Sequence, residues 1–397
     1  MAGPHAVVPT TIATTTRPEA GSAPPAQAVV AGIALTAGVA LILLAARHGA
    51  GWRAPALALV GLALGFVLFQ ATFGFAGSFR AALERRDFAG FRAQAVALAL
   101  SSLVFFPILA QGSVFGQPVW GFGAPVGVSF VTGAVLFGIG MQVGGGCASG
   151  TLFALGGGNA RLLMTLAFFV VGSVVGAAHI GFWRGLPALD TGTTQDWIGW
   201  PAALALHLAV FLALIRLIPA PQGGTSRPSL RALLFRPWPL VWGAVALAAL
   251  NGLTLVLAGR PWGETAGFTL WGSKIAAAMG IDVAAWPYWQ GYPDPLRASV
   301  FADITSVMDF GIVAGATLAA ALGGRFVPVT GGGPRAWAGA VLGGLLMGYG
   351  ARLSDGCNIG AYFSALASGS LSAWVWVAAA FAGSAIGLRA RPLFRLP

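Results

Sequence analysis

Charge is nearly absent from long stretches of this chain, and that governs what it can fold into. Apolar windows close to the ~20 residues that cross a bilayer as a helix recur near 28–46, 93–111, 125–143, 162–182, 201–218, 238–258, 300–322, 337–353 and 371–388. Only 8% of the 397 residues are charged and 57% are hydrophobic, whereas a soluble domain carries roughly a quarter charged residues to face water. The solvent must therefore be lipid. The expected fold is an all-α integral membrane protein with about nine transmembrane helices, and its 59 glycines suit close helix packing.

Four further apolar stretches, 56–79, 147–158, 264–279 and 358–368, are short or interrupted by glycine and polar residues. They are expected to be re-entrant segments. Irregular backbone at membrane depth is tolerated only where protein or a water-filled cavity satisfies it.

The net charge of +11 is a membrane signal and not a nucleic-acid one, because the basic residues sit in short loops between apolar runs. On that layout Arg47, Arg53, Arg80, Arg85, Arg86, Arg92, Arg161, Arg216, Arg227, Arg231, Arg236, Arg325, Arg335, Arg389, Arg391 and Arg395 share one side. The opposite loops hold Asp190, Asp196, Asp282 and Asp294, with Trp183, Trp197, Trp200, Trp286 and Trp289. The arginine-rich side is expected in the cytoplasm, which puts the N-terminus outside and the C-terminus inside. Residues 1–27, rich in Pro, Thr and Ala, read as a disordered tail without signal-peptide features.

The segment 133–153 aligns without a gap on 343–363, an offset of 210 that sets Cys147 on Cys357. Gly133, Gly138, Gly140, Gly146 and Gly150 then meet Gly343, Gly348, Gly350, Gly356 and Gly360. The charge pattern sends the crossings before the two cysteines in opposite directions, so the expectation is an inverted two-fold repeat with its path near the midplane. A first membrane half at 28–218, with an extra crossing at 201–218, would be joined by a basic cytoplasmic linker at 219–236. An inverted half at 237–390 and a tail at 391–397 would follow.

The two cysteines are the only ones in the chain, which excludes a disulfide framework, and no spacing matches a zinc site. Each follows a glycine and opens a short apolar segment. If a helix starts just beyond the cysteine, its free N–H groups and positive dipole end favour an anion. A neutral thiol adds a weak donor and a polarizable surface, which suits a soft, sulfur-bearing anion. The same helix end would also favour a thiolate, which repels an anion. A buried cysteine can equally be a small packing group, though two in register argue against it.

The paired G-C-x-x-G segments, Gly146-Cys147-Ala148-Ser149-Gly150 and Gly356-Cys357-Asn358-Ile359-Gly360, together with GFTLWGSK at 267–274, resemble the YeeE/YedE family of sulfur-compound transporters. The resemblance spans roughly 30–390. It implies a multi-pass protein of the bacterial inner membrane that takes up thiosulfate or a related sulfur anion, with Cys147 and Cys357 as inner and outer points of a thiol relay. It leaves a cytoplasmic sulfur-carrier protein as a candidate partner besides membrane lipid. Thiosulfate members carry a further cysteine in the first re-entrant stretch, where this chain reads Thr72-Phe73-Gly74-Phe75. That departure keeps another sulfur or selenium species open.

Lys274, the only lysine, falls in the broken stretch 264–279 and is a candidate counter-ion in the pathway, or an interfacial lysine. Ser149 and Asn358 are candidate pathway residues beside the cysteines. Asp309 lies mid-span and could carry a coupling proton or pair with an arginine. Arg352 and Asp355 flank Cys357, as vestibule or as a surface ion pair. Trp374 and Trp376 are expected to face lipid. No P-loop is present, and no cofactor is expected. The competing classes are a membrane thiol oxidoreductase, which would want two nearby cysteines, and a copper channel, which would want clustered Met or Cys. A non-enzymatic permease accounts for more of the residues than either.

Overall fold

The computed structural model describes residues 27–220 and 229–396. The tail expected at 1–27, and Pro221, Gly223, Gly224 and Pro228 of the expected linker, lie outside the described residues save for Gln27.

The described chain is almost wholly helical. In order come α1 (Ala28–His48), α2 (Arg53–Ala71), α3 (Phe75–Arg85), α4 (Ala89–Gln111), α5 (Val128–Gly144), α6 (Ala148–Gly156) and α7 (Ala160–Arg184). They are followed by α8 (Trp200–Leu217), α9 (Leu240–Ala258), α10 (Thr265–Ala278), α11 (Ile304–Leu322) and α12 (Pro334–Leu353). A π-helix at Asn358–Ser364 runs into one α turn, Ala365–Ala367, before α13 (Ser372–Ala390). Strand structure is confined to two antiparallel pairs of two residues each, Ser113–Val114 with Gln117–Pro118 and Val126–Gly127 with Ala188–Leu189.

Among the described residues, 9 helical stretches are long and apolar enough to cross a membrane. That is the expected number, with two changes of membership. The stretch 53–85 qualifies, although 56–79 was expected to be re-entrant. Arg53–Ala71 is one continuous helix of 19 residues, and the break comes only at Thr72, whose φ of 47° ends it in a left-handed turn. Conversely α12, expected to cross, is 20 residues long but is not among the nine, because its glycines and arginines lower its hydropathy.

Small residues set the packing. α11 lies along α2, α12 along both α7 and α5, and α13 along α5. A β-carbon at Gly65 would overlap the carbonyl of Ile312, and one at Gly315 the carbonyl of Leu62. At Gly133 it would sit 2.6 Å from the carbonyl oxygen of Gly350. In lipid, helices gain little by hiding apolar surface from one another, so this close backbone approach is what holds them. The partnerships come in matched sets: α2 with α11 and α9 with α4, α7 with α12 and α13 with α5, α1 with α11 and α8 with α4.

Polar contacts sort the loops into two ends. At one, Gln27 N–H donates to Ala321 O at 3.0 Å, Trp238 N–H to Gln70 O at 2.8 Å, and Val329 pairs with Asn159. Arg325 bonds Gln70, Arg92 Nε donates to Ile215 O at 3.1 Å, and Arg391 Nη1 to Gln142 O at 2.6 Å. At the other end Arg53 bonds Gln117, Trp120 N–H donates to Gly259 O at 3.0 Å, and Thr194 N–H to Gly369 O at 2.8 Å. Two expectations are corrected by this. Arg47 and Arg53 lie at the end opposite Arg80, Arg92, Arg161, Arg325 and Arg391, and Gln27 lies at the same end as Arg391, so the described chain ends are not on opposite faces. Both follow from α2 running the full length while α12, 20 residues long, still lies alongside α5 and α7, which makes one crossing more than the sequence predicts.

Candidate functional site

Four short helices have their first turns inside the bundle. Their N-cap residues are Gly74 for α3, Cys147 for α6, Glu264 for α10 and Cys357 for the π-helix. They gather at one place. Cys147 Sγ faces the backbone N–H of Ala76 in α3, and the Glu264 carboxyl faces the N–H of Ser149 in α6. The Phe75 ring lies 6.2 Å from that of Tyr362 and 6.0 Å from that of Phe363. Helix starts carry unpaired N–H groups and partial positive charge, so this centre is lined by donors without a lysine in it.

Both thiols are free and buried, each at 1% exposure. Cys147 Sγ lies 3.4 Å from Ser149 Oγ, and the Cys147 carbonyl accepts from Thr151 N at 2.8 Å and Thr151 Oγ1 at 2.7 Å. Cys357 Sγ accepts from the N–H of Ile359 at 3.4 Å and donates to Glu264 Oε2 at 3.7 Å. The glycines of the two motifs serve unequal ends. Gly356 has a φ of +156°, and a β-carbon there would come 2.8 Å from the N–H nitrogen of Ala361, while Gly146 is under no such pressure. A β-carbon at Gly150 would sit 3.3 Å from Cys147 Sγ, whereas Gly360 has only Phe122 nearby at 3.9 Å.

Several polar groups at this level have no protein partner among the described residues. Asn358 is fully buried, and both ends of its amide are unpaired. Glu264, at 2% exposure, leaves Oε1 unpaired, and Asp309, at 0%, leaves both oxygens so. Asp309 lies within electrostatic reach of Glu264, Asp303 and Arg260, yet the only ion pair among the described residues is Arg80–Glu84. Buried polar groups are ordinarily hydrogen-bonded, so such a cluster calls for an explanation in ligand or water.

The remaining candidates fall elsewhere. Lys274 Nζ donates to Leu296 O at 2.7 Å and Ala298 O at 2.6 Å. It stands ten residues, about 15 Å of helix, beyond Glu264. The structure therefore brings Cys147, Ser149, Cys357 and Asn358 together and leaves Lys274 out, holding the loop at Leu296 and Ala298. Arg352 is buried and donates to Tyr288 Oη at 2.7 Å and Thr265 Oγ1 at 2.6 Å, tying the end of α12 to the first turn of α10. It forms no ion pair with Asp355. Trp376, expected against lipid, is fully buried, with Nε1 donating to Ser354 Oγ at 3.1 Å. Glu264 was missed as a site residue. Its signal was present, since it is the acid that opens the broken stretch 264–279.

This is a multi-pass membrane protein with two buried thiols at breaks between helices. It belongs to the sulphur transport family, whose sequence profile matches residues 70–386. The "Probable transporter YedE" of Escherichia coli (strain K12) is 32% identical over 171 residues, covering 42% of this chain and 41% of that protein. The "Thiosulfate transporter TsuA" of Spirochaeta thermophila is 27% identical over 342 residues, 80% of this chain and 92% of the relative. The protein of the same name from E. coli is 26% identical over 313 residues, 76% of this chain and 84% of that one.

Proposed function

We propose that this chain is a permease for thiosulfate or a closely related sulfur-containing anion. One observation carries the reading: two buried thiols cap two inward-facing helix starts, and a fully buried, unpaired amide, Asn358, lies beside one of them. Thiol S–H groups and helix N–H groups donate to an anion, and sulfur packs on sulfur through its polarizability. In this reading Cys147 and Cys357 pass the anion along by S–H···S hydrogen bonds, with Gly150 and Gly360 leaving room at the last position of each motif. The names borne by two relatives support thiosulfate as the first substrate to test.

The matched helix partnerships support an inverted repeat, in which α1 to α7 correspond to α8, α9, α10, α11, α12, the π segment and α13. Under it Gly74 and Glu264 occupy equivalent places, so the second half supplies a carboxyl where the first supplies only backbone. With α8 paired to α1, the seam between halves would fall at 185–199, between α7 and α8, and the basic stretch at 219–236 would lie within the second half. Arginine bias supports a cytoplasmic location, at a bacterial inner membrane, for the end holding Arg80, Arg161, Arg325 and Arg391, with Gln27 on the same face. A sulfur-carrier protein receiving the anion would dock there.

Uptake of labelled thiosulfate by cells lacking their own sulfate and thiosulfate importers tests this, with wild type beside Cys357→Ala. Uptake present in wild type and lost in the variant is the expected outcome. No uptake by wild type, with the protein present in the membrane, would remove thiosulfate as substrate.

A further inference from the structure

The path that this reading assigns to an anion contains two buried acids and no basic side chain paired with either. We propose that Glu264 binds a proton together with each transported anion, so that uptake is proton-linked. The inference rests on the permease reading and adds the second species to it.

The argument starts from what faces Glu264. From the π segment comes the Cys357 thiol and from α6 the Ser149 N–H, the Cys147 thiol lies within electrostatic reach, and from α11 the carboxyl of Asp309 lies against Gly267 in the first turn of α10. Asp309 in turn faces Asp303 and Arg260, and Arg260 donates to Thr305 Oγ1 at 2.8 Å. Arg352 holds Tyr288 through Nη1 and Thr265 through Nη2, and although its buried Nε has no partner it forms no ion pair with either acid. An anion arriving at Cys357 therefore meets carboxylates without counter-ions in a site closed to solvent, where charges interact far more strongly than in water.

Hydrogen-bond direction gives the mechanism. An ionised carboxylate only accepts, so ionised Glu264 takes the Cys357 hydrogen and competes with the anion for it. Protonated Glu264 has a hydrogen to give. The Cys357 S–H is then free to turn to the anion, and the carboxylic O–H becomes a second donor. One proton from the outer solution forms the O–H bond on Glu264, and the same proton leaves to the inner solution after the anion has moved on. No covalent bond to sulfur is made and no electron is transferred.

The test is the pH dependence of thiosulfate affinity in the purified full chain, with proton influx into proteoliposomes as a second readout. On the alkaline side, wild-type affinity should fall about tenfold per pH unit, the slope for one linked proton, and thiosulfate entry should acidify the lumen. In Glu264→Gln both the slope and the acidification should vanish. A flat wild-type profile with intact uptake overturns the inference and leaves the permease reading standing. A slope that persists in Glu264→Gln, or is lost in Asp309→Asn alone, places the proton elsewhere and also overturns it. Should Glu264→Gln fail to fold, the wild-type profile and influx decide. Absence of thiosulfate binding by wild type overturns both.

Discussion

The thiol of Cys357 points at the carboxyl of Glu264, with Sγ 3.7 Å from Oε2, although 93 residues separate them in the chain. The contact joins two breaks, one before α10 and one before the π-helix, and it makes Cys357 half of a donor–acceptor pair.

Replacing either partner should therefore be felt in uptake before it is felt in stability. Cys357→Ala leaves Glu264 Oε2 buried and unsatisfied, costing about 1–3 kcal/mol, and removes the donor proposed for the anion. Labelled thiosulfate uptake should fall by tenfold or more, while the amount of folded protein, followed by size-exclusion chromatography, drops far less. Uptake close to wild type would eliminate the relay.

The two thiols should differ in reach from the two faces. Cys357 stands where the chain turns in from the end bearing Arg53 and Gly259, and Cys147 where it turns in from the end bearing Arg161 and Arg325. A membrane-impermeant maleimide added outside cells should label Cys357 faster than Cys147, and thiosulfate should slow both. The opposite order would invert the proposed orientation.

Lys274 makes a contrasting case. Its ammonium holds the carbonyls of Leu296 and Ala298, so Lys274→Ala should cost about 1–3 kcal/mol of stability through lost charge-assisted bonds. Uptake per folded molecule should be nearly unchanged. A selective loss of uptake with an unaltered melting temperature would return Lys274 to the pathway.

Arg352 should behave as a fastener. Arg352→Lys keeps the charge but cannot span Tyr288 and Thr265 with one planar fork. The variant should melt several degrees below wild type in detergent, and Thr265→Ala should add little to that loss, because both remove the same bond. Fully additive losses would show that the two residues act separately.

Gly65→Ala tests the frame. The added methyl meets the Ile312 carbonyl, and overpacking of this kind costs about 1–3 kcal/mol. Gly77→Ala, where nothing lies within 4 Å, is the control. Equal melting temperatures for the two variants would contradict the backbone contact between α2 and α11.

Much of this was legible in the sequence, for physical reasons that can be named. Apolar runs such as 162–182 and 300–322 translate directly into α7 and α11, because lipid leaves a segment few alternatives to helix. The offset of 210 brought Cys147 and Cys357 into register, and both prove to cap helix starts. The misreadings come from glycine and from tertiary pairing. Gly61 and Gly65 looked like breaks in 56–79 but are contact points of a straight helix. Trp376 resembled a lipid anchor until Ser354, 22 residues away, proved to hold its N–H. Glu264 could be suspected as the acid opening 264–279, but its contact with Cys357, 93 residues away, is recorded by no local pattern.

The backbone contacts at Gly65, Gly315 and Gly133 bear on how fast such a protein can work. Helices in carbonyl contact have no side-chain layer to slide on, so a rocking of whole halves would have to tear the seam open in every cycle. Motion is then left to the short helices and to single side chains, which rearrange in nanoseconds to microseconds where domain swings take microseconds to milliseconds. On the proposed relay, throughput would be governed by how long the anion dwells on each sulfur, and the protein would saturate like a narrow pore with sticky rungs.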